Sequence, residues 1–234
     1  MKRKLSIIIP VYNEETEFLD TMLSFFLPLK FTKNIEVIIV DDGSDLPVKE
    51  QVNFVTHIVR KEKNKGYGNS IKLGIRHASG NYIGIIDADS QYDPMELIEL
   101  WEAMEDEDML VGKRITHQGG WKRFFGRLSI KIISSFCALR FIPDLNSGVR
   151  IFKKHLARSY ASLLCDEFSF TTSLTMCFLL DKLKVKWLPI GFYPRQGNPS
   201  TVKLLRIGLI TLYQLIYLTI GLRTRKLRKW LRNN

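Results

Sequence analysis

The chain has 234 residues, 45% of them hydrophobic, and a net charge of +11. That length and apolar content suit one domain with a full core and exclude a disordered or fibrous chain. Eight lysines and arginines between Lys203 and Arg232, with no acid among them, carry most of the excess charge. The basicity is therefore a tail property beside an apolar segment, which suits anionic lipid better than nucleic acid.

Lys2, Arg3 and Lys4 precede only Leu5-Ser6-Ile7-Ile8-Ile9-Pro10-Val11, an apolar run too short for a secretory signal and read as a first buried strand. Tyr12-Asn13-Glu14-Glu15 then turns into a helix in which Phe18, Leu19, Met22, Leu23 and Phe26 recur at helical spacing. Ile35 to Val40 makes a second apolar strand that ends in Asp41-Asp42-Gly43-Ser44, and Phe54 to Val59 a third. Asn64-Lys65-Gly66-Tyr67-Gly68 leads into a helix to about His77, which Gly80 ends. Asn81 to Ile86 is a fourth strand, and it too breaks into carboxylates, Asp87-Ala88-Asp89-Ser90-Gln91, before Pro94 starts the next helix.

Residues two apart in an extended segment point the same way, so Asp87 and Asp89 can face one ligand with the Gln91 amide oxygen next in line. Two carboxylates and an amide oxygen are hard donors, suited to Mg2+ or Mn2+ carrying a diphosphate rather than to zinc. Acids after a strand can instead merely cap the following helix, and Asp41-Asp42-Gly43-Ser44 taken alone can be read as a turn and a cap. Apolar strands alternating with helices predict an α/β fold with a mostly parallel sheet covered by helices on both faces. Ligands of such sheets bind beyond the carboxyl ends of the strands, where Pro10, Asp41, Asp42, Asp87 and Asp89 all fall.

Ile-Ile-Pro-Val-Tyr-Asn-Glu-Glu at 8–15, Val-Asp-Asp-Gly-Ser at 40–44, Asn-Lys-Gly-Tyr-Gly at 64–68 and Asp-Ala-Asp-Ser-Gln-Tyr-Asp-Pro at 87–94 together resemble the family 2 glycosyltransferases of GT-A fold. The resemblance implies that Pro10, Tyr12, Glu14 and Asp42 hold the base and ribose of a sugar nucleotide, with Asp41 and Lys65 in the same substrate-binding set. It also implies that Asp87, Asp89 and Gln91 bind Mg2+ or Mn2+ and the diphosphate, whose growing charge a divalent cation stabilises.

In the second half, Leu110-Val111-Gly112-Lys113-Arg114, with Lys113 in place of Ser, is similar to the Gly-Ser-Arg segment of the polyprenyl-phosphate branch of that family, the dolichyl-phosphate mannose synthase group. A helix from about Trp121 to Leu139 follows, and the resemblance assigns Arg114 and Arg127 to the lipid phosphate, which an arginine fork binds with two hydrogen bonds at once. Lys122 and Arg123 are read instead as a solvated or lipid-facing edge. Asp144-Leu145-Asn146-Ser147-Gly148-Val149-Arg150 is similar to Asp-x-x-Ser-Gly-Phe-Arg. It makes Asp144 an orienting group near the reacting centre, or a turn former before a strand, and Arg150 a substrate ligand. Asp166 to Thr172 opens a helix that continues through Leu179, and Val185 to Ile190 is the last strand. The stretch after Tyr193 approximates Tyr-x-x-Arg and Gly-x-Ser-Lys, with an extra residue before Ser200, and places Arg195 and Lys203 over the diphosphate.

Leu204 to Leu222 is almost wholly apolar and flanked by basic residues at both ends, which favours an interfacial helix with a basic tail over a spanning one. A core or dimer helix is the alternative. The expected division is a GT-A catalytic domain over 1–202 and a membrane-associating helix over 203–234. Cys137, Cys165 and Cys177 lack metal spacing and are expected as buried thiols in a reducing compartment.

These features predict an inverting, metal-dependent transferase. It moves a sugar from a UDP- or GDP-sugar to a polyprenyl phosphate at the cytoplasmic face of a membrane, with Asp89, Asp144, Arg114 and Arg127 as catalytic residues. Nucleic acid is not an expected partner, and a homo-oligomer is left open. Two other readings stay open: transfer to a saccharide hydroxyl, with Asp166 or Glu167 as general base, and a non-catalytic basic binding protein.

Overall fold

The computed structural model describes residues 3–26, 28–29, 34–48, 57–115, 121–194 and 204–233, with backbone alone at 16, 121–125, 127, 204–205 and 226–233. Seven strands form one sheet in the order β3-β2-β1-β4-β6-β5-β7. They are β1 (Leu5–Val11), β2 (Ile35–Asp41), β3 (His57–Arg60), β4 (Tyr82–Ile85), β5 (Met109–Arg114), β6 (Arg150–Lys153) and β7 (Val185–Ile190). The helices are α1 (Thr16–Phe26), α2 (Tyr67–His77), α3 (Pro94–Glu102), α4 (Trp121–Ala138), α5 (Lys154–Ser159), α6 (Phe170–Leu180) and α7 (Leu204–Asn233).

The alternation of β1 builds both halves of the core. Ile7 and Ile9 face α1 and α3, against Leu23, Phe26, Leu97 and Trp101. Ile8 faces the other way, with Ile71 and Ile75 of α2 and Phe170 and Leu174 of α6, as a period of two requires. α6 is buried from Phe170 to Leu179, the expected place for a helix apolar all round. It lies under α7, whose Thr211, Leu215, Leu218 and Leu222 form a buried stripe at helical spacing. α7 also packs on α4, where Arg223 donates to the Cys137 carbonyl at 2.8 Å.

The sheet is mostly parallel, as expected, with β6 running antiparallel to both β4 and β5. Two expectations shift. The third strand starts at His57, and residues 54–56 lie outside the described residues. The helix expected to open at Asp166 starts at Phe170, and Asp166 sits in the preceding turn. The reversal of β6 matters most. Its register puts Arg150 opposite Ile85 and Val111, so the loop that enters β6 lies at the edge where β1, β2, β4 and β5 end.

At the other edge Glu36, buried at the start of β2, ties the strands together. It accepts from the Ser6 hydroxyl, from Ser79 N and Oγ at 2.5 Å each and from Gly80 N at 3.1 Å. Burial alone would push its carboxyl up, but these hydrogen bonds outweigh it and hold it at about 2 against an ordinary 4.5. The stabilisation is full above pH 4.5 and is lost as pH falls towards 2, since only the carboxylate accepts all of these bonds. Glu36→Gln is expected to lower unfolding free energy by about 3 kcal/mol at pH 7. In urea titrations the gap to the unsubstituted protein should close between pH 4.5 and pH 2.

Candidate active site

Beyond the carboxyl ends of the strands lies a cleft of about 750 Å³. Pro10, Tyr12, Glu14 and Asp42 line it from the first two strand ends, and Asp87 and Asp89 from the fourth. Asn146 and Gly148 come from the loop before β6, Phe168, Thr171 and Thr172 from the start of α6, and Ile207 and Thr211 from α7.

The two neighbouring aspartates at the end of β2, Asp41 within it and Asp42 just after it, divide the work by pointing opposite ways. Asp41 is fully buried and accepts from Ser44 N at 2.8 Å, Val48 N at 3.4 Å and, as an ion pair, Arg60 at 3.8 Å. It shapes the loop and does not reach the cleft. Asp42 does, accepting from Lys65 N at 2.8 Å and Gly66 N at 3.0 Å while paired with Lys61. Lys65 contributes its backbone there, and its side chain is exposed. Asn13, at φ 54°, brackets the facing loop: its Nδ2 donates to Asp45 at 3.1 Å and its Oδ1 accepts from Asp45 N at 2.8 Å. That bracket holds Tyr12 and Glu14 against the second loop.

Asp87 and Asp89 share the cleft as two like charges. Burial first, and then the Asp89 charge, push the Asp87 carboxyl up to about 7. Tyr67 donates to Asp87 Oδ1 at 2.7 Å, and its own phenol is pushed well above its usual range by burial and by that carboxylate. On the opposite side Gly148 comes so close that an added Cβ would sit 2.0 Å from Asp87 Oδ2. Gln91 N donates to Asp89 Oδ1 at 3.3 Å, and the Gln91 amide reaches the Tyr193 carbonyl at 3.4 Å. Among the described residues no third carboxylate, histidine or cysteine completes a protein cage. A strained pair of oxygen donors open to a cleft fits Mg2+ or Mn2+, which keep waters and substrate phosphates in their remaining positions.

Arg114 and Asp144 form a fork: Nε to Oδ2 at 2.7 Å and Nη2 to Oδ1 at 2.8 Å. Burial alone would raise the Asp144 carboxyl, but the Arg114 hydrogen bonds and charge hold it below the usual range. The Asp144 carbonyl accepts from Trp187 Nε1 at 2.7 Å, and Arg114 lies 5.2 Å over the Phe192 ring. Arg150, expected at the substrate, is fully buried instead. Its Nη1 donates to Thr171 O and Thr175 Oγ1 at 2.9 Å, and its Nη2 to the Leu145 and Ser147 carbonyls. It pins the loop before β6 to α6 and has no access to the cleft. Arg127 lies in α4 with backbone alone described, and Arg195 and Lys203 lie outside the described residues.

Tyr67, Asn13, Asp45 and the α7 pair Ile207 and Thr211 escaped the sequence reading. Tyr67 stood inside a motif already singled out, so its place was legible even though its partner was not. α7 joins the site through Thr211 Oγ1, 2.7 Å from Ser169 Oγ, and through Arg206, 2.7 Å from Glu167.

The sequence model described as "Glycosyl transferase family 2" matches residues 6–163. Undecaprenyl-phosphate 4-deoxy-4-formamido-L-arabinose transferase of Photorhabdus laumondii is 30% identical over 179 residues, covering 71% of this chain and 54% of the relative. Dolichol-phosphate mannosyltransferase of Pyrococcus furiosus is 31% identical over 157 residues, covering 62% and 44%. The chain thus spans about half the length of these curated relatives. Among solved structures, Mycobacterium tuberculosis glucosyl-3-phosphoglycerate synthase superposes with a TM-score of 0.72 at 16% identity, over 93% of this chain and 81% of that one. The same enzyme has been solved with Mn2+, UDP-glucose and phosphoglyceric acid, with a TM-score of 0.70 at 17% identity over 93% and 80%. At such identity the likeness is one of fold.

Proposed function

Because the chain belongs to glycosyl transferase family 2, we propose that its cleft moves a sugar from a nucleotide donor to a polyprenyl phosphate, with inversion, at the cytoplasmic face of a membrane. The observation that carries this is that Asp87 and Asp89 open into the same cleft as Pro10, Tyr12, Glu14 and Asp42. Diphosphate chemistry and nucleotide recognition thereby share one space. The relatives named for undecaprenyl and dolichol phosphate support the acceptor class.

In this reading Pro10, Tyr12, Glu14 and Asp42 seat the nucleotide. Asp87 and Asp89 hold Mg2+ or Mn2+ with Gln91 beside them, and the bound cation supplies charge stabilisation to the departing diphosphate. Arg114 and Arg127 hold the acceptor phosphate, Arg195 and Lys203 the donor diphosphate, and Asp144 keeps Arg114 in place. The phosphate oxygen attacks the anomeric carbon from the face opposite the diphosphate, so positioning and electrostatics carry the rate. No general base is needed, because a phosphate monoester is mostly dianionic near neutral pH. Asp166 and Glu167, the bases a saccharide hydroxyl would require, are ion-paired with Lys72 at 2.9 Å and Arg206 at 2.7 Å.

The membrane part of the proposal draws on two packed helices. By length and composition Arg206–Arg225 could cross a membrane, but its inner stripe is part of the domain core. Its outer stripe exposes Leu209, Tyr213, Ile216 and Ile220, and α4 exposes Ile132 and Phe136. Neither helix contains an acid. Two apolar faces with basic flanks suit a helix pair lying on an anionic leaflet.

The reading is tested by nucleoside diphosphate release from a panel of UDP- and GDP-sugars, with Mg2+ or Mn2+, with and without a short polyprenyl phosphate. Release from one donor that requires both metal and lipid is expected. Release that ignores the lipid and answers to an added saccharide would overturn the acceptor assignment.

A further inference from the structure

We propose that Tyr67 is a positioning residue for Asp87: its hydroxyl sets the orientation of that carboxylate and thereby the affinity of the site for a divalent cation. The inference rests on the reading of Asp87 and Asp89 as cation ligands.

The Tyr67 hydroxyl donates to Asp87 Oδ1 at 2.7 Å, and nothing about Tyr67 is loose. It is the first residue of α2. The turn before it is fixed by Asp42, which accepts from both Lys65 N and Gly66 N. Gly66 has φ 100°, and a Cβ there would lie 2.6 Å from the Asp166 carbonyl, so backbone strain and close approach both demand glycine. The Tyr67 ring stacks on Phe168, with centroids 5.6 Å apart and planes 12° apart. Phe168 in turn belongs to a segment tied to α7 on either side, by Arg206 to Glu167 and Thr211 to Ser169.

The second Asp87 oxygen is confined from the other side. Gly148 leaves no room for a Cβ against Oδ2, its N–H donates to Tyr92 at 3.0 Å, and Arg150 holds the preceding Ser147 carbonyl. A carboxylate gripped on one oxygen and walled on the other has little freedom about its last torsion, so a cation meets oxygens already aimed. The choice of a phenol is informative. A lysine or arginine in that place would orient Asp87 equally well but would neutralise it and compete with the cation, whereas a neutral donor orients without opposing the charge. Groups that orient metal ligands in this way typically carry tenfold or more in affinity.

The test measures Mn2+ binding directly, from the electron paramagnetic resonance signal of free Mn2+ titrated with protein in the presence of UDP and, separately, of GDP. Tyr67→Phe keeps the ring and its stack and removes only the hydroxyl. It is expected to raise the Mn2+ dissociation constant roughly tenfold, with the melting temperature and the KM for the acceptor unmoved. Phe168→Leu, which loosens the ring but keeps the hydroxyl, is expected to weaken Mn2+ in the same direction by less. Mn2+ binding in Tyr67→Phe as tight as in the unsubstituted protein, or tighter, would overturn the proposal. So would a loss confined to Phe168→Leu, which would assign the effect to the stack. If the unsubstituted protein binds no Mn2+ with either nucleotide, the cation reading itself fails and this inference goes with it.

Discussion

Asp89→Ala is expected to lower nucleoside diphosphate release by roughly 10³-fold, the scale seen when one electrostatic partner of a developing negative charge is removed. It should do so while making the metal-free protein more stable. Asp87 and Asp89 are two carboxylates in a partly buried cleft, and the first of them is pushed up to about 7 by burial and then by the second. A carboxyl raised in the folded state costs stability that accumulates as pH rises from its ordinary 3.8 towards about 7 and is full above that, because over this range the unfolded chain gives up the proton that the folded protein keeps. Deleting Asp89 removes the like-charge part of that penalty, so the gain should be visible above pH 7 and fade below it. A gain of roughly 1 kcal/mol is expected in urea unfolding at pH 8 with chelator present. Loss of turnover without any such gain would mean that Asp89 is not electrostatically coupled to Asp87. A site whose ligands repel one another until a cation arrives is the usual form of a stability and activity trade-off.

The parts of this architecture that were legible in the sequence are those where composition changes abruptly at a strand end. Leu5–Val11, Ile35–Asp41 and Tyr82–Ile85 are apolar runs that stop at polar or acidic residues, and a parallel sheet turns each stop into a wall of the same cleft. Strand direction has no such signature. Arg150–Lys153 would read identically in either sense, yet only as an antiparallel strand does it carry the loop with Gly148 to the edge where Asp87 lies. Burial of a charged residue is also illegible, because the composition of a segment does not say what surrounds it. Arg150 sits in a motif that resembles a substrate-binding one, and its guanidinium is enclosed by carbonyls and a threonine hydroxyl. The same limit applies to Asp41 and Asp42, adjacent and chemically alike, of which only the second faces the cleft. For α7, the apolar composition that suggested lipid is satisfied on one stripe by the protein's own core, while Leu209, Tyr213, Ile216 and Ile220 stay exposed among the described residues, so the core alternative accounts for one of its faces.

Arg114→Ala is expected to cost about 3–5 kcal/mol of stability, the penalty for leaving a buried carboxylate without its partner. Asp144 is 8% exposed and depends on Arg114 for two short hydrogen bonds, joined among the described residues by the backbone N–H groups of Arg114 and Asn146. Removing both partners avoids the stranded charge, so Arg114→Leu combined with Asp144→Leu is expected to recover most of the loss, and the cycle of single and double variants measures the coupling. The double variant also separates structure from chemistry. The fork uses Nε and Nη2 of Arg114, and a guanidinium carries five donor protons, so holding Asp144 does not by itself use up its capacity to bind. If Arg114 serves the acceptor, the folded double variant should bind nucleotide normally while its KM for polyprenyl phosphate rises by one to two orders of magnitude, the range for loss of a charge-assisted phosphate contact of about 1.5–3 kcal/mol. An unchanged KM in a stable double variant would confine Arg114 to holding Asp144, and would leave Arg127 to carry the acceptor phosphate without it.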